Sequence, residues 1–491
     1  MENKSLEKII ESRLEKLKKI RDLGVNPYPY EFKCSHTTSQ VTEDIVGKKV
    51  SVAGRVMALR NMGKAAFTNI QDESGRVQLY IAKDDVGEDG YNLFKLIDIG
   101  DYIGVSGKIF ITKTGAVTVK VKTLTLLSKN LRPIPDVKEK DGKKYNFVSD
   151  KEFRYRKRYL DLIINPETKE NYVKRFKIVN SIREFLNTNG YIEVETPVLQ
   201  PVYGGANAKP FKTFHNALDQ EFYLRIATEL YLKQLIVGGF EKVYEMSKDF
   251  RNEGIDRSHN PEFTMLEFYQ AYADYNFMMD FVEKMFKKVT NDLDMKIISW
   301  DGHKINLSKK FARKSMDELI QEHTGESVDL SDIKAVLNLC KKLDLKVKKS
   351  DGLAKMIDAI MRKKIEPNLI NPTYVINHPV EISPLAKINR DGDKNFTERF
   401  ELFIVGMEFA NGFSELNDPI DQRNRFEDQS KKREDGDENA FPVDENFLEA
   451  IETGMPPTAG VGIGIDRLVM LFIDTRWIRD AILFPTLKSL K

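Results

Sequence analysis

Apolar residues near the start of the chain recur at steps of three and four residues. The members of this set are Leu6, Ile9, Ile10, Leu14, Leu17 and Ile20. This period predicts an amphipathic α-helix that ends near Gly24. Its outer face carries the cations Lys8, Arg13, Lys16, Lys18 and Lys19. Because glutamates are interleaved with them, we interpret this face as solvated, with contact to phosphates as the alternative.

From residue 48 to residue 127 the period of the apolar positions changes to two. Alternating runs cover Val50–Val56, Val77–Ile81, Ile103–Ile111 and Val117–Val121. Turn sequences stand at Asp72-Glu73-Ser74-Gly75 and Thr112-Lys113-Thr114-Gly115. About five short strands in roughly 80 residues is the size of an OB-type barrel, which in known examples binds oligonucleotides on one face.

A segment with prolines and a Gly turn but no period follows the barrel, and it predicts a linker. We expect an N-terminal helical extension at 1–47, an OB-fold domain at 48–130, a linker at 131–149 and a second domain at 150–491. The second domain mixes helices, such as Tyr172–Asn189, with strands. The predicted strands include Tyr191–Val194 and Phe400–Val405. A helical insertion is expected at about 308–370, and the charge run at 422–439 is interpreted as a solvated helix and loop.

Charge and cysteine content narrow the class of protein. The 491 residues hold 77 Lys and Arg against 75 Asp and Glu, so any nucleic-acid binding depends on local surfaces rather than on bulk charge. The two cysteines, Cys34 and Cys340, exclude a disulfide framework and a cysteine-cluster metal site. There is neither an apolar leader nor an apolar run of about 18 residues, which predicts a cytoplasmic protein without a membrane partner.

Common catalytic signatures such as a P-loop or a zinc-protease helix are absent from the sequence. Three other stretches of the sequence are informative when they are taken together, namely Gly190–Pro197, Phe250–Phe263 and Gly460–Arg467. Together they resemble motifs 1, 2 and 3 of class II aminoacyl-tRNA synthetases. The connecting sequence, such as Asn411–Asp418 and Pro456–Gly460, is similar to bacterial-type lysyl-tRNA synthetases, and the resemblance covers nearly the whole chain.

This resemblance implies an α+β fold, with an N-terminal OB-fold barrel and a catalytic domain built on an antiparallel sheet flanked by helices. It implies activation of L-lysine with ATP to lysyl-adenylate and transfer of lysine to the 3′ end of tRNA-Lys. Motif 1, which includes Pro197, implies a homodimer. Mg²⁺ is the implied cofactor, with ATP as a substrate.

Adenylation needs positioning and charge neutralisation rather than a nucleophilic side chain. By the resemblance, Arg251 and Arg467 are the catalytic residues, with Arg251 on the α-phosphate and the lysine carboxylate and Arg467 on the γ-phosphate. Further ATP contacts are implied at Glu253, His259, Asn260 and Phe263. In the family, Phe263 stacks on adenine and Arg467 covers its other face. Glu401 and Glu408 match the family's Mg²⁺ ligands and also count as ATP-binding, as hard cations favour carboxylates.

The resemblance also implies where the substrate lysine and the anticodon bind. The lysine-binding set is Gly205, Glu229, Arg251, Glu267, Tyr269, Asn411, Phe413 and Glu415. Gly205 and Glu229 would take the α-amino group, and Glu267, Tyr269 and Glu415 the ε-ammonium, which needs carboxylates when it is desolvated. The anticodon-binding residues are Phe67 and Gln78, while Ala116 stands where the family has glutamate.

Other functions remain open at this stage. An aspartyl- or asparaginyl-tRNA synthetase shares the three motifs, but an aspartate pocket needs a cation, and residues 411–415 contain none. A non-catalytic RNA-binding paralogue would lose the motif arginines, and both Arg251 and Arg467 are present. A lysyl-transferase that acts on a protein would lack the barrel.

Overall fold

The computed structural model describes residues 2–135, 138–140, 143–145, 150–348, 352–434, 440 and 442–490. Its contacts divide the chain into two compact units, Met1–Asp150 and Lys151–Lys491. One hydrophobic cluster lies in the first unit and three lie in the second. The finer division of residues 1–149 stays a prediction, and part of the expected linker lies outside the described residues.

The first unit contains a closed five-stranded barrel. The helices and strands of this unit are α1 (Glu2–Asp22), β1 (Lys49–Asn61), β2 (Ala65–Gln71), β3 (Arg76–Ala82), α2 (Lys83–Lys95), β4 (Tyr102–Ile111), β5 (Val117–Ser128), β6 (Lys138–Lys140) and β7 (Lys143–Tyr145). The barrel strands follow the order β1-β2-β3-β5-β4. Alternate residues, such as Val77, Leu79 and Ile81, are buried inside it, which confirms the predicted OB-type barrel.

The helix α1 confirms the predicted N-terminal helix but buries a different face. Leu17 and Ile20 are buried, whereas Ile9 and Leu14 are 37% and 45% exposed. The assignment of Arg13 to the solvated face is wrong. Its guanidinium is buried and donates to the backbone oxygens of Asn130 at 3.3 Å and Ile99 at 3.1 Å. These two carbonyls lie next to the barrel strands β4 and β5, so the hydrogen bonds of Arg13 attach the helix α1 to the barrel.

The second unit is built on an eight-stranded sheet. The helices are α3 (Lys151–Arg156), α4 (Arg158–Ile164), α5 (Pro166–Thr188), α6 (Glu229–Val237), α7 (Tyr275–Asp292), α8 (Met316–Thr324), α9 (Ile333–Lys342), α10 (Gly352–Ile360), α11 (Pro419–Glu434), α12 (Glu445–Glu452), α13 (Ile465–Phe472) and α14 (Ile478–Ala481). The strands are β8 (Ile192–Glu193), β9 (Leu199–Gln200), β10 (Lys212–His215), β11 (Gln220–Leu224), β12 (Lys242–Phe250), β13 (Glu262–Ala271), β14 (Ile297–Trp300), β15 (His303–Asn306), β16 (Ala312–Ser315), β17 (Thr373–Pro379), β18 (Phe396–Ile404), β19 (Met407–Ser414) and β20 (Thr458–Gly464).

The sheet order is β16-β17-β18-β19-β20-β13-β12-β8, with antiparallel pairing everywhere except at the two outermost pairs. The antiparallel pairs confirm the predicted fold class. Residues of α5, α7 and α13 share the largest hydrophobic cluster with the sheet, so these helices cover one of its faces. Among the described residues, the helices are all too short or too polar to cross a membrane.

Three local predictions differ from the structure. The segment 308–370 is mainly helical, but Ala312–Ser315 forms the edge strand β16, and residues 349–351 lie outside the described chain. In α5, the apolar spacing of Phe176, Val179, Ile182 and Leu186 predicts one shared face, but Phe176 is exposed, because the buried apolar positions are Tyr172, Ile178, Ile182 and Leu186. The helix α11 is not fully solvated, since Gln422 and Phe426 are buried; residues 435–439 of this charge run are not described.

Candidate active site

The candidate site lies on the central strands of the large sheet. Two glycines of β20 face side chains of both neighbouring strands: Gly460 pairs with Tyr269 and Phe413, and Gly462 pairs with Glu267 and Asn411. A Cβ atom at Gly460 would lie 2.2 Å from Tyr269 Cε1 and 2.5 Å from Glu415 Oε1. The glycine therefore lets these side chains approach the middle strand, and we call the surface over β20, between the side chains of β13 and β19, the groove.

Four of the predicted lysine-binding residues line this groove as a buried polar group, which we call the acidic pocket. It consists of Glu229, Glu267, Tyr269 and Glu415, all of which are buried. Tyr269 Oη donates to Glu267 Oε2 at 3.1 Å, and the Thr228 backbone N–H donates to Glu267 Oε1 at 3.3 Å. Three carboxylates in one enclosed site suit a cationic ligand, because such a ligand offsets both their desolvation and their mutual repulsion.

The electrostatics of the acidic pocket are strongly perturbed. Burial, together with the nearby Asp249 and Glu229 carboxylates, raises the pKa of Glu267 to about 8. Burial also raises the pKa of Glu229 and Glu415, although the adjacent Lys233 opposes the shift. Shifts of this kind are typical of functional sites, where charged groups are held in place before the ligand arrives.

A lysine of the chain itself lies in the acidic pocket, which sequence reasoning missed. Lys233 Nζ lies 2.6 Å from Glu229 Oε1 and 2.5 Å from Glu415 Oε2. Residues 411–415 contain no cation, as the sequence shows, but the cation of the pocket comes from the helix α6. The only sequence signal was its spacing, since Glu229 and Lys233 are four residues apart on a helix.

The remaining lysine-binding candidates frame the pocket. Gly205 has φ +84°, and a Cβ atom there would lie 3.1 Å from the Cβ atoms of Ala227 and Glu229, so the Gly205 backbone closely approaches the start of α6. Asn411 and Phe413 are half-buried on β19. Arg251 follows β12 directly, and its Nε lies 3.5 Å from the Ile226 backbone oxygen. The chain from Ile226 to Glu229 thus connects this arginine to the acidic pocket.

Three of the predicted ATP-binding residues, Glu408, His259 and Phe263, lie against one or the other of the two arginines. Arg467 donates to the Glu408 backbone oxygen at 2.8 Å and contacts His259 Nε2 at 3.2 Å. The Arg251 guanidinium lies 5.1 Å from the ring centroid of Phe263. Asn260 is buried, and its Oδ1 has no hydrogen-bond partner among the described residues, whereas Glu253 is exposed. The placement of Phe263 and Arg467 on opposite faces of an adenine stays a prediction.

The two glutamates expected to bind Mg²⁺ lie on neighbouring strands. Glu401 pairs with Arg399 at 2.6 Å, and Glu408 Oε2 lies 3.5 Å from Arg467. Burial and the Glu401 carboxylate raise the pKa of Glu408, so the two acids repel each other. Among the described residues, no group of three or more His, Cys, Asp or Glu side chains could hold a metal ion alone. Two carboxylates fit Mg²⁺ that takes its other ligands from phosphates and water.

One further charge cluster, not found from the sequence, joins the helix α5 to the ends of the motif 2 and motif 3 regions. Arg175 of α5 pairs with Asp466 at 2.5 Å and donates to Thr264 Oγ1 at 3.0 Å. Asp466 Oδ2 also accepts from the Thr264 backbone N–H at 2.7 Å. Since Asp466 precedes Arg467, the cluster fixes the start of α13 and with it the backbone of this arginine.

In the barrel, the two anticodon-binding candidates lie on the outer face of β2 and β3. Phe67 and Gln78 are both half-buried, as outward positions of a barrel are. Phe67 packs on Tyr80 with ring centroids 5.1 Å apart, and Tyr80 packs on Phe110 at 6.0 Å. Gln78 Oε1 accepts from Thr118 Oγ1 at 2.8 Å. This face therefore carries three aromatic rings, Phe67, Tyr80 and Phe110, beside the amide of Gln78. Sequence reasoning identified Phe67 and Gln78 but not Tyr80 or Phe110.

Comparison with known proteins places these features in a family. Residues 150–488 match the model of tRNA synthetases class II (D, K and N), and residues 50–127 match that of the OB-fold nucleic acid binding domain. The chain belongs to the class II tRNA synthetases, and within them to the family of the lysine–tRNA ligases.

This narrower placement comes from similarity over nearly the full length. The chain is 49% identical to the lysine–tRNA ligase of Carboxydothermus hydrogenoformans, over 99% of each chain. It is 49% identical to that of Moorella thermoacetica, over 97% of each chain. The lysine–tRNA ligase of Enterococcus faecalis is 48% identical, over 97% of this chain and 96% of its own.

Proposed function

We propose that the chain activates L-lysine with ATP to lysyl-adenylate and transfers the lysine to the 3′ end of tRNA-Lys. The observation that carries this proposal is the acidic pocket, with Glu229, Glu267 and Glu415 buried beside the motif 2 arginine. An aspartate or asparagine side chain would bring no cation to these three carboxylates, which favours lysine over the other substrates of the family. A non-catalytic role would not need Arg251 and Arg467.

In the first step a carboxylate oxygen of lysine attacks the α-phosphorus of ATP, and pyrophosphate leaves. Arg251 would hold the lysine carboxylate and the α-phosphate together, and Arg467 would neutralise the γ-phosphate. Glu401 and Glu408 would hold Mg²⁺, which supplies further neutralisation of phosphate charge. In the second step the terminal hydroxyl of tRNA attacks the lysyl carbonyl carbon, and AMP leaves.

The partners follow from the two units. The aromatic face of the barrel around Phe67 would stack anticodon bases of tRNA-Lys, with Gln78 as a hydrogen-bonding reader. We also propose a homodimer, because the motif 1 region exposes Ile192, Val198 and Leu199, large apolar side chains that a second subunit would cover. Charging of tRNA for protein synthesis would take place in the cytoplasm.

The test is pyrophosphate exchange with ATP, measured for each of the twenty amino acids. Lysine should support exchange, and aspartate and asparagine should not. In Glu415→Gln the ε-ammonium loses its charge partner, so the kcat/KM for lysine should fall by roughly 30-fold to several thousand-fold, while the KM for ATP hardly changes.

The variant Arg251→Ala serves as the comparison, because it should depress kcat itself through loss of contact with the reacting groups. Unaltered lysine kinetics in Glu415→Gln would remove this residue from the pocket and reopen the choice of amino acid.

A further inference from the structure

The helix α6 carries a lysine that is fully withdrawn from solvent. The Lys233 side chain is 0% exposed, and its Nζ lies between Glu229 Oε1 at 2.6 Å and Glu415 Oε2 at 2.5 Å. The rings of Phe413 and Phe447 lie 5.6 Å from the ammonium. A buried ammonium is costly to fold around unless carboxylates compensate it, so its position here calls for a role.

The two carboxylates that Lys233 joins are those proposed for the two ends of the substrate. Glu229 belongs to the α-amino subsite and Glu415 to the ε-ammonium subsite. Both oxygens of Glu415 are buried and neither has a hydrogen-bond partner of regular geometry in the described part of the chain; Oε2 forms the ion pair with Lys233, and no such ion pair is found for Oε1. A Cβ atom on Gly460 would lie 2.5 Å from this oxygen, so Oε1 points toward the groove over β20. Glu415 thus gives one oxygen to Lys233 and presents the other to the substrate groove.

The positive charge of Lys233 affects the protonation of Glu229 and Glu415. Two carboxylates buried in one site without a cation would take up a proton, since desolvation and repulsion both disfavour the second negative charge. A half-protonated pocket would receive an ammonium group poorly. Burial alone would lower the pKa of Lys233, but Glu229 and Glu415 outweigh burial and raise it, so the ammonium stays charged.

We propose that Lys233 is a positioning residue of the acidic pocket, whose ammonium opposes protonation of Glu229 and Glu415 and fixes both carboxylates in place so that they can receive the ammonium groups of a substrate lysine. This inference rests on the proposed function. Lys233 would touch neither ATP nor the reacting carboxylate. It acts through the two glutamates, and it joins the subsites for the two ends of the substrate.

Several other charged or titratable groups face this pair and contribute to its pH dependence. They are Glu267 and Tyr269 on β13 and Arg399 on β18, while Asp249 on β12 acts on Glu267. The helix α12 contributes the uncharged Phe447. All of these groups remain in a variant of Lys233, so a change in the pH profile of that variant reports on the removed ammonium, acting through Glu229 and Glu415 and through Glu267, which interacts with both.

The test uses the full chain and lysine-dependent pyrophosphate exchange between pH 6 and pH 9. In Lys233→Met the lysine KM at pH 7 should rise at least tenfold, while the ATP KM and kcat should stay within about threefold. The fall of lysine KM with pH should move upward, so that KM in this variant is still falling at pH 9, where the parent has levelled off, because higher pH restores the ionised carboxylates. Lys233→Gln keeps hydrogen-bond donors without charge and should show the same move, whereas Lys233→Arg should keep the parent profile.

Lys129→Met is the matched control for loss of a buried lysine. Lys129 is also 0% exposed and lies 2.6 Å from Asp98 and 2.7 Å from Asp101, but it belongs to the first unit. It should lower thermal stability without moving lysine KM.

An unchanged lysine KM and pH profile in a folded Lys233→Met or Lys233→Gln would overturn the inference. A fall in lysine KM would do so too, since Lys233 would then be a competitor that blocks the pocket. If neither neutral variant folds, the role is one of stability, and the inference is lost. A parent chain without lysine-dependent exchange would instead refute the proposed function, so the two failures are distinguishable.

Discussion

Glu267 is the residue whose protonation should be most closely linked to binding of the amino acid. Its carboxyl is buried, and burial together with the nearby Asp249 and Glu229 carboxylates raises its pKa to about 8, so the protonated form predominates in the free protein at pH 7. A substrate ammonium beside it would favour the ionised form and so lower its pKa. Binding of lysine at pH 7 should therefore release close to one proton from Glu267.

The sign of the pH dependence follows from this linkage. Below pH 8 the free carboxyl must lose its proton, so lysine affinity should rise with pH by up to about tenfold per unit and level off above pH 8. Calorimetric titration of lysine at pH 7, in two buffers of different ionisation enthalpy, counts the released proton. Glu267→Gln should abolish the release.

A matched control for this titration is Glu283→Gln, which alters a buried glutamate bonded to Lys287 at 2.6 Å on α7. It should keep the release. Equal heats of binding in both buffers for the parent chain would contradict the assignment of Glu267.

Single residues also show where sequence reasoning reached its limit. Glu229, Glu267 and Glu415 were assigned through resemblance, and the structure does bring these three together in one buried pocket. Their burial and repulsion depend on strands far apart in the chain, so no local pattern could reveal the raised pKa of Glu267. Lys233 and Arg399 escaped notice for a related reason, since lysine and arginine on a helix or strand ordinarily reach solvent.

At the scale of elements, the hairpin between β18 and β19 is strained. Its two-residue turn consists of Val405 with φ +50° and Gly406 with φ +74°, between the paired residues Ile404 and Met407. Positive φ at both positions is the geometry of a type I′ turn, which favours Asn-Gly and disfavours a β-branched residue. This turn connects the strands that carry Glu401 and Glu408.

Val405→Asn should therefore stabilise the second unit by about 0.5–1.5 kcal/mol, or roughly 1–3 °C in its melting temperature. The backbone N–H of residue 405 keeps its bond to the Ile370 oxygen, at 3.1 Å in the parent chain. Thermal melting measures the gain. Val173→Asn, at an exposed position of α5 with ordinary helical geometry, should give none. Val405 also packs against the largest hydrophobic cluster, so a lower melting temperature in Val405→Asn would show that loss of this contact outweighs the relief of backbone strain.

Elements with a regular apolar period were predicted well, and elements set by tertiary contacts were not. The barrel strands β1, β3, β4 and β5 follow their periods, and the helices α1 and α5 form where their periods predict them, although Ile9, Leu14 and Phe176 are exposed. The strand β16 is only four residues long, and it exists because β17 offers a free edge to pair with. Such a short segment carries no periodic signal of its own. In α11, Phe426 is buried because it packs on Phe447 of α12. The charged residues around Phe426 in the sequence give no sign of this contact.

At the scale of the whole molecule, the two units divide the work. All the proposed adenylation residues belong to Lys151–Lys491, which has its own hydrophobic clusters, and the proposed anticodon readers belong to Met1–Asp150. A change confined to the outer face of the barrel should therefore affect recognition of tRNA without affecting activation of lysine. Two assays on the same full-length variant separate these steps, because pyrophosphate exchange needs no tRNA and aminoacylation does.

Phe67→Ala tests this division of work. Phe67 lies outward on β2 against Tyr80, so its removal leaves the barrel core intact but takes away one platform for base stacking. Loss of one stacked base costs about 1–3 kcal/mol, so kcat/KM for tRNA should fall by roughly 5- to 150-fold while lysine-dependent exchange stays at the parent level.

Tyr102→Ala is the matched control, because Tyr102 is an exposed aromatic of β4 that stacks under Arg55 at 4.3 Å, away from the Phe67 face. It should leave both assays unchanged. An equal loss of exchange and aminoacylation in Phe67→Ala would show that the barrel face also serves the adenylation site, and parent-level aminoacylation would remove Phe67 from anticodon recognition.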